Sequence, residues 1–157
     1  MYVVILAGGA GTRMGGKTPK PLVEMNGKPL ILHVIDNVKS IFNDAKIRVV
    51  VGKNNSEKIR ERLGKSFEYV IQPKALGTAD ALKYGIEGIK AEENVLVMYA
   101  DTPLIRPSSI SGILNFHRLK KADVTLLTGL SSKKYPYALV VKDKSKKLLY
   151  VEEEMRP

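Results

Sequence analysis

Residues 2–22 read YVVILAGGAGTRMGGKTPKPL, and the fold turns on how that stretch is divided. Within it, GTRMGGKT (residues 11–18) fits the phosphate-loop pattern G-x-x-x-x-G-K-[ST] letter for letter. That pattern requires a strand running straight into its first glycine and a helix opening at its Lys and Thr. Here the apolar, β-branched run ends at Ala7, several residues before Gly11. Pro19 and Pro21 then bias Thr18 and Lys20 away from the α region, and Pro21 has no N–H with which to propagate a helix. The match is therefore accidental. The phosphate cradle moves upstream, where Gly8, Gly9 and Gly11 follow the strand directly and can bring bare N–H groups close to an anion. Arg13 adds a planar, multidonor cation, and Lys20, held between two prolines, adds a point charge. The dinucleotide fingerprint G-x-G-x-x-G fits only in part, with Met14 where the third glycine belongs and no acidic residue placed in RVVVGKNN.

Outward from this loop, strand and helix patterns alternate. KPLILHVIDNVKSIF (28–42) spaces Leu30, Ile31, Val34, Ile35, Val38 and Ile41 as one helix face, with Pro29 suited to the first helical position. KIRVVVG (46–52) reads as a second strand, SEKIRERLG as a short helix stopped by Gly64, and FEYVI as a third strand. A helix over 77–89, a buried strand NVLVMYA (94–100), a helix over 107–121 and a strand ADVTLLTGL (122–130) follow. YALVVKD and LLYVEEE, joined by the polar KSKK, read as a hairpin. The alternation predicts βαβ units in a Rossmann-like, three-layer α/β/α fold with a mostly parallel sheet and a C-terminal hairpin. One domain over 1–157 is expected, without repeats or a low-complexity linker. Ligands of such sheets bind beyond the carboxyl ends of the strands. If the first and fourth strands are neighbours, the glycine loop and YADTPL (99–104) meet in one crevice.

Composition narrows the chemistry. The 157 residues include no cysteine and two histidines, His33 and His117, so disulfides and thiolate metal sites are excluded and a zinc site is disfavoured. Both histidines read as ordinary helix residues. No apolar run reaches the roughly 18 residues of a membrane span, and a soluble, cytoplasmic protein is expected. Lys and Arg number 26 against 16 Asp and Glu, a formal charge of +10, which attracts anionic ligands. The basic residues are scattered and not interleaved with aromatics, so nucleic acid is a disfavoured partner.

LAGGAGTRM followed by PKPLVEMNGKPLI resembles the signature of the sugar-1-phosphate nucleotidyltransferases, and QPKALGTADAL (72–82) and YADTPL resemble that family's base- and metal-binding segments. The likeness is greatest to the uridylyltransferase domain of the N-acetylglucosamine-1-phosphate enzymes. It implies a nucleotidyltransferase that moves a nucleotidyl group from UTP to a sugar 1-phosphate, releasing pyrophosphate, with Mg²⁺ as cofactor. On this resemblance Leu6, Ala7, Gly8 and Gly9 contact the nucleoside and phosphates through the backbone, and Arg13 holds the leaving pyrophosphate. Lys20 sits at the α-phosphate. Gln72 reads the uracil edge beside Gly77 and Thr78, Thr78 serving equally as a helix cap. Asp101 holds the metal, Tyr99 lines the pocket, and Tyr135 and Glu152 fall where the family binds the sugar. The chemistry suits the inventory: a sugar phosphate is already anionic and needs no strong base, so cations, backbone N–H groups and Mg²⁺ suffice.

Two departures stand out. KKYPYALVV has Pro136 where the family has a glycine, and the sequence ends before the family's remaining sugar contacts and second metal ligand, as a minimal or C-terminally shortened domain would. RMGGK also resembles the loop of small GTP-dependent guanylyltransferases of cofactor biosynthesis, the enzymatic alternative. A nucleotide- or RNA-binding module without turnover is the alternative of another class. Base, sugar and oligomeric state stay open at this level.

Overall fold

The computed structural model describes residues 1–9, 18–130, 138–145 and 147–152. These fall into two compact units, Met1–Gly112 and Ile113–Pro157. In the first unit, β1 (Tyr2–Leu6), β4 (Lys46–Gly52), β5 (Glu68–Gln72) and β6 (Val95–Tyr99) form one sheet in the order β5-β4-β1-β6. All three pairings are parallel. β1 thus lies between β4 and β6, and the first and fourth strands of the sequence pattern are neighbours, as the crevice requires.

β1 and β4 are apolar at almost every position because both their faces are covered. Val3, Val4, Ile5, Val49, Val50 and Val51 are fully buried, each such side chain stabilising the fold by ~2 kcal/mol. α3 (Thr78–Ile86) closes the face presented by Val4, Leu6 and Val50, with Ala81 and Leu82 packed there. Its seat is set by Gly85, where a Cβ would lie 2.6 Å from Val4 Cγ1 and 2.9 Å from Val50 Cγ2. Arg48, buried on β4, donates to the Gly85 and Glu87 carbonyls at 2.8 and 2.7 Å and pairs with Glu68. It so satisfies carbonyls that the end of α3 leaves without helical partners. α1 (Leu30–Lys39) buries Ile31, Val34, Ile35 and Val38, the stripe its sequence spacing predicts. α2 (Ser56–Leu63) lies against β4 and stops at Gly64, as expected.

Three local expectations need correction. α1 begins at Leu30, and Pro29 precedes it with an extended backbone, ψ 140°. Pro29 instead ends a small hairpin of β2 (Glu24–Met25) and β3 (Lys28–Pro29), whose Asn26–Gly27 turn has φ of 53° and 74°. Asn-Gly is the sequence signal for such a turn, and it lay unused inside the motif. The strand expected over 122–130 is not formed: this stretch pairs with no strand among the described residues, and Val124, Leu126 and Leu127 are half or more exposed. β-propensity without a partner ladder leaves an extended segment, not a strand. Thr78 is the first residue of α3, and the cap position belongs to Gly77.

α4 (Pro107–Lys120) starts with the expected Pro and carries the boundary between the units. In the second unit His117 Nδ1 lies 2.9 Å from Thr125 Oγ1. The C-terminal hairpin is present as β7 (Leu139–Lys142) and β8 (Leu148–Glu152).

Candidate active site

The phosphate-loop reading fails in the structure for the reason the prolines suggest. After Thr18 the chain is extended at Pro19, with ψ 138°, and Lys20–Leu22 forms a single 3-10 turn. No α-helix follows until Leu30. Pro21 is buried and Pro19 and Pro21 bracket Lys20, so the lysine stem leaves a rigid step of backbone. Its Nζ lies 2.5 Å from Asp101 Oδ2, an ion pair between residues 81 positions apart.

Asp101 follows β6, whose Tyr99 is paired in register with Leu6 of β1. Ala100 N donates to Leu6 O at 3.0 Å, carrying the alignment one residue past the strand. The loop beyond is anchored from α1: Asn37 Nδ2 donates to the carbonyls of Pro103 and Ile105 at 3.1 and 3.0 Å. Asn37 is a positioning residue that sequence reasoning missed, and its one signal is an amide on a helix of otherwise apolar inward positions. Tyr99 is about half exposed at the strand end.

On the other side of β1, a cavity of about 250 Å³ opens beyond the carboxyl ends of β1, β4 and β5. Gly8, Gly9, Pro19, Gly52, Lys53, Asn55 and Gln72 line it, whereas Lys20, Asp101 and Tyr99 do not. The crevice therefore has a cavity flank and an ion-pair flank, with β1 between them. Asn55 fastens the strand ends together, donating to Ala7 O and accepting from Gly52 N, both at 2.9 Å. Ala7 N donates to Val50 O, so both backbone groups of Ala7 are engaged within the protein. Leu6 O is likewise taken by Ala100 N. Gly8 and Gly9 are the first residues after β1 whose N–H groups no described residue accepts. Gly8 packs against the tip of Gln72: a Cβ there would lie 2.9 Å from Gln72 Oε1.

Gln72 is the last residue of β5 and is 4% exposed. Its Nε2 donates to Gly77 O at 3.1 Å and to Asp80 Oδ2 at 2.8 Å. Gly77 and Thr78 are thereby placed beside Gln72, as the motif suggested, while Asp80 had gone unnoticed. His33 Nε2 lies 2.9 Å from Met25 O and ties α1 to the β2–β3 hairpin, an ordinary structural role. Gly11, Arg13, Lys17 and Tyr135 fall outside the described residues. Glu152 is exposed at the end of β8, opposite Leu139. Among the described residues no three His, Asp or Glu side chains gather as a metal cage, and no helix is long and apolar enough to cross a membrane.

A parallel sheet with two glycines directly beyond β1, and a lysine and an aspartate meeting beyond the ends of β1 and β6, is the setting of an α/β domain of the nucleotidyltransferase type. The chain belongs to the MobA-like NTP transferase domain family, whose model matches residues 3–156. It is 37% identical over 143 residues to the bifunctional protein GlmU of Listeria monocytogenes, covering 90% of this chain and 31% of that protein. The chain thus spans about a third of the length of the curated relatives it matches. Its fold is shared with Rv0371c of Mycobacterium tuberculosis in complex with manganese, at a TM-score of 0.61 and 16% identity over 75% of this chain and 59% of that one. It is shared equally with a UDP-glucose pyrophosphorylase complexed with UDP-glucose, at a TM-score of 0.64 and 20% identity over 76% and 54%.

Proposed function

We propose that the domain transfers a nucleotidyl group from a nucleoside triphosphate, UTP, to a sugar 1-phosphate, giving a nucleotide sugar and pyrophosphate. The observation that carries this reading is the Lys20–Asp101 pair at the carboxyl end of the sheet. A phosphate oxygen of the sugar phosphate forms the new bond to the α-phosphorus, the bond from the α-phosphorus to the bridging oxygen breaks, and that oxygen leaves with pyrophosphate. No proton has to be abstracted, so the scarcity of histidine costs nothing. What the reaction needs is screening between anions and stabilisation of charge on the phosphoryl group in flight.

Lys20 supplies a cation at the α-phosphate, and its proline-bracketed turn keeps the ammonium in place. The N–H groups of Gly8 and Gly9, with Gly11, cradle the phosphates, and Arg13 holds the departing pyrophosphate. Gln72 reads the base from within the cavity, beside Gly77 and Thr78, while Tyr99 lines the ion-pair flank. Tyr135 and Glu152 are assigned to the sugar. Asp101 suits Mg²⁺, because this ion is commonly held by one or two carboxylates and completes its shell with water and phosphate oxygens. Once bound, Mg²⁺ neutralises phosphate charge and orients the triphosphate. Membership of an NTP transferase family and the 37% identity to GlmU support the reading.

Pyrophosphate release, measured with Mg²⁺ across a panel of triphosphates and sugar phosphates, tests it. Turnover with at least one pair, abolished by Asp101→Asn, is the expected result. Absence of turnover with every pair, alongside tight triphosphate binding that Asp101→Ala leaves unchanged, would establish a binding module instead.

A further inference from the structure

Asp80 lies in the first turn of α3, where a carboxylate is stabilised as the anion by the helix N-terminus. An ionised carboxylate only accepts hydrogen bonds, and so does the Gly77 carbonyl. Both face the amide end of Gln72, and both take their hydrogen bond from Nε2. Turning the amide over would set Oε1 against two oxygens inside a side chain that is 4% exposed, where unpaired polar atoms are heavily penalised. Oε1 points instead toward Gly8, close enough that a Cβ there would be 2.9 Å away. No described residue donates to it. Gln72 and Gly8 both line the cavity.

We propose that Asp80 is a specificity-determining positioning residue: with Gly77 O it locks the Gln72 amide, so that the cavity meets an acceptor, Oε1, and never the amide N–H. This rests on the nucleotide reading of the site. A locked acceptor takes the ring N–H that uracil carries at N3 and guanine at N1. The corresponding ring nitrogens of cytosine and adenine are acceptors, and would meet Oε1 lone pair to lone pair. The site then sorts bases by ring protonation, and the residue enforcing the choice need not touch the base.

The test compares UTP and CTP affinities by calorimetry in wild type, Asp80→Asn, Gln72→Ala and the double variant. A carboxamide at position 80 can offer either N–H or C=O and frees Gln72 to turn over. The UTP-to-CTP affinity ratio should fall by about tenfold in Asp80→Asn, with no further fall when the same change is made in Gln72→Ala. A purely structural Asp80 would lower both affinities together and leave the ratio intact, which would overturn the proposal. So would an equal fall in the Gln72→Ala background. Should Asp80→Asn fold poorly, the wild-type side-chain NH₂ protons of Gln72 decide by NMR. Slow exchange with solvent is expected of a locked amide, and exchange as fast as that of exposed glutamines overturns the lock. Failure of wild type to bind any triphosphate would bring down the nucleotide reading itself. A UTP preference that survives Asp80→Asn would remove only this inference.

Discussion

Two lysines three positions apart divide the site from its imitation. Lys17 completes the phosphate-loop pattern, and Lys20 sits on a 3-10 turn between prolines and meets Asp101. Lys20→Ala should lower kcat by about 10²–10³, the usual effect of removing one donor to transition-state charge. Lys17→Ala should stay within about threefold of wild type, an effect worth less than 1 kcal/mol. Steady-state pyrophosphate release measures both. Much of this was legible beforehand, because two prolines forbid a helix whatever the rest of the fold does. Gln72 was legible as a residue but not as a geometry. That its N–H groups are spoken for depends on Asp80, eight residues on and across a loop, and no local pattern carries that. Asn37 escaped for the same reason, since its partners lie 66 and 68 residues away.

At the level of elements, α3 is held down by two devices at its C-terminal end, the contact of Gly85 with β1 and β4 and the buried guanidinium of Arg48. Arg48→Met should cost about 2 kcal/mol, as removal of charge-assisted hydrogen bonds commonly does, read as a lower urea midpoint. The elements that a strand or helix period announces, β1, β4, β6 and α1 to α4, are where their patterns put them. The stretch 122–130 carries the same kind of pattern and stays unpaired, because a strand is a property of two segments and the sequence of one says nothing about its partner. The β7–β8 hairpin has its own local clasp. Asp143 accepts from the Ser145 hydroxyl and the Lys147 N–H, and the Ser145 bond first, then the Lys147 bond, hold its carboxyl below the ordinary aspartate pKa of 3.8. A depressed carboxylate contributes stability above its unfolded pKa and loses it as pH falls through the folded one. The turn should therefore be fully formed near pH 5 and loosen below about pH 3.8, with Asp143→Asn abolishing that dependence, as amide exchange at Lys147 would report.

Over the whole molecule, the order β5-β4-β1-β6 places β1 between the two flanks of the crevice, and the chain carries a formal charge of +10. Such a field draws polyanions inward and is screened within about 8 Å at physiological ionic strength. The KM for the triphosphate should rise several-fold between 50 and 500 mM salt, as screening of a net positive charge would produce, while kcat changes little. Initial rates across a salt series check it. α3 joins its seat on the sheet to the wall of the cavity. Its far end presses a glycine onto two valines, and its near end holds the carboxylate that orients Gln72, so the helix is a rigid arm between a hidden fulcrum and the cavity. A survey of substitutions would find Gly85→Ala altering the choice of substrate and would mark it as a ligand contact. The change would instead have tilted a ruler, moving the mark at one end by wedging the other.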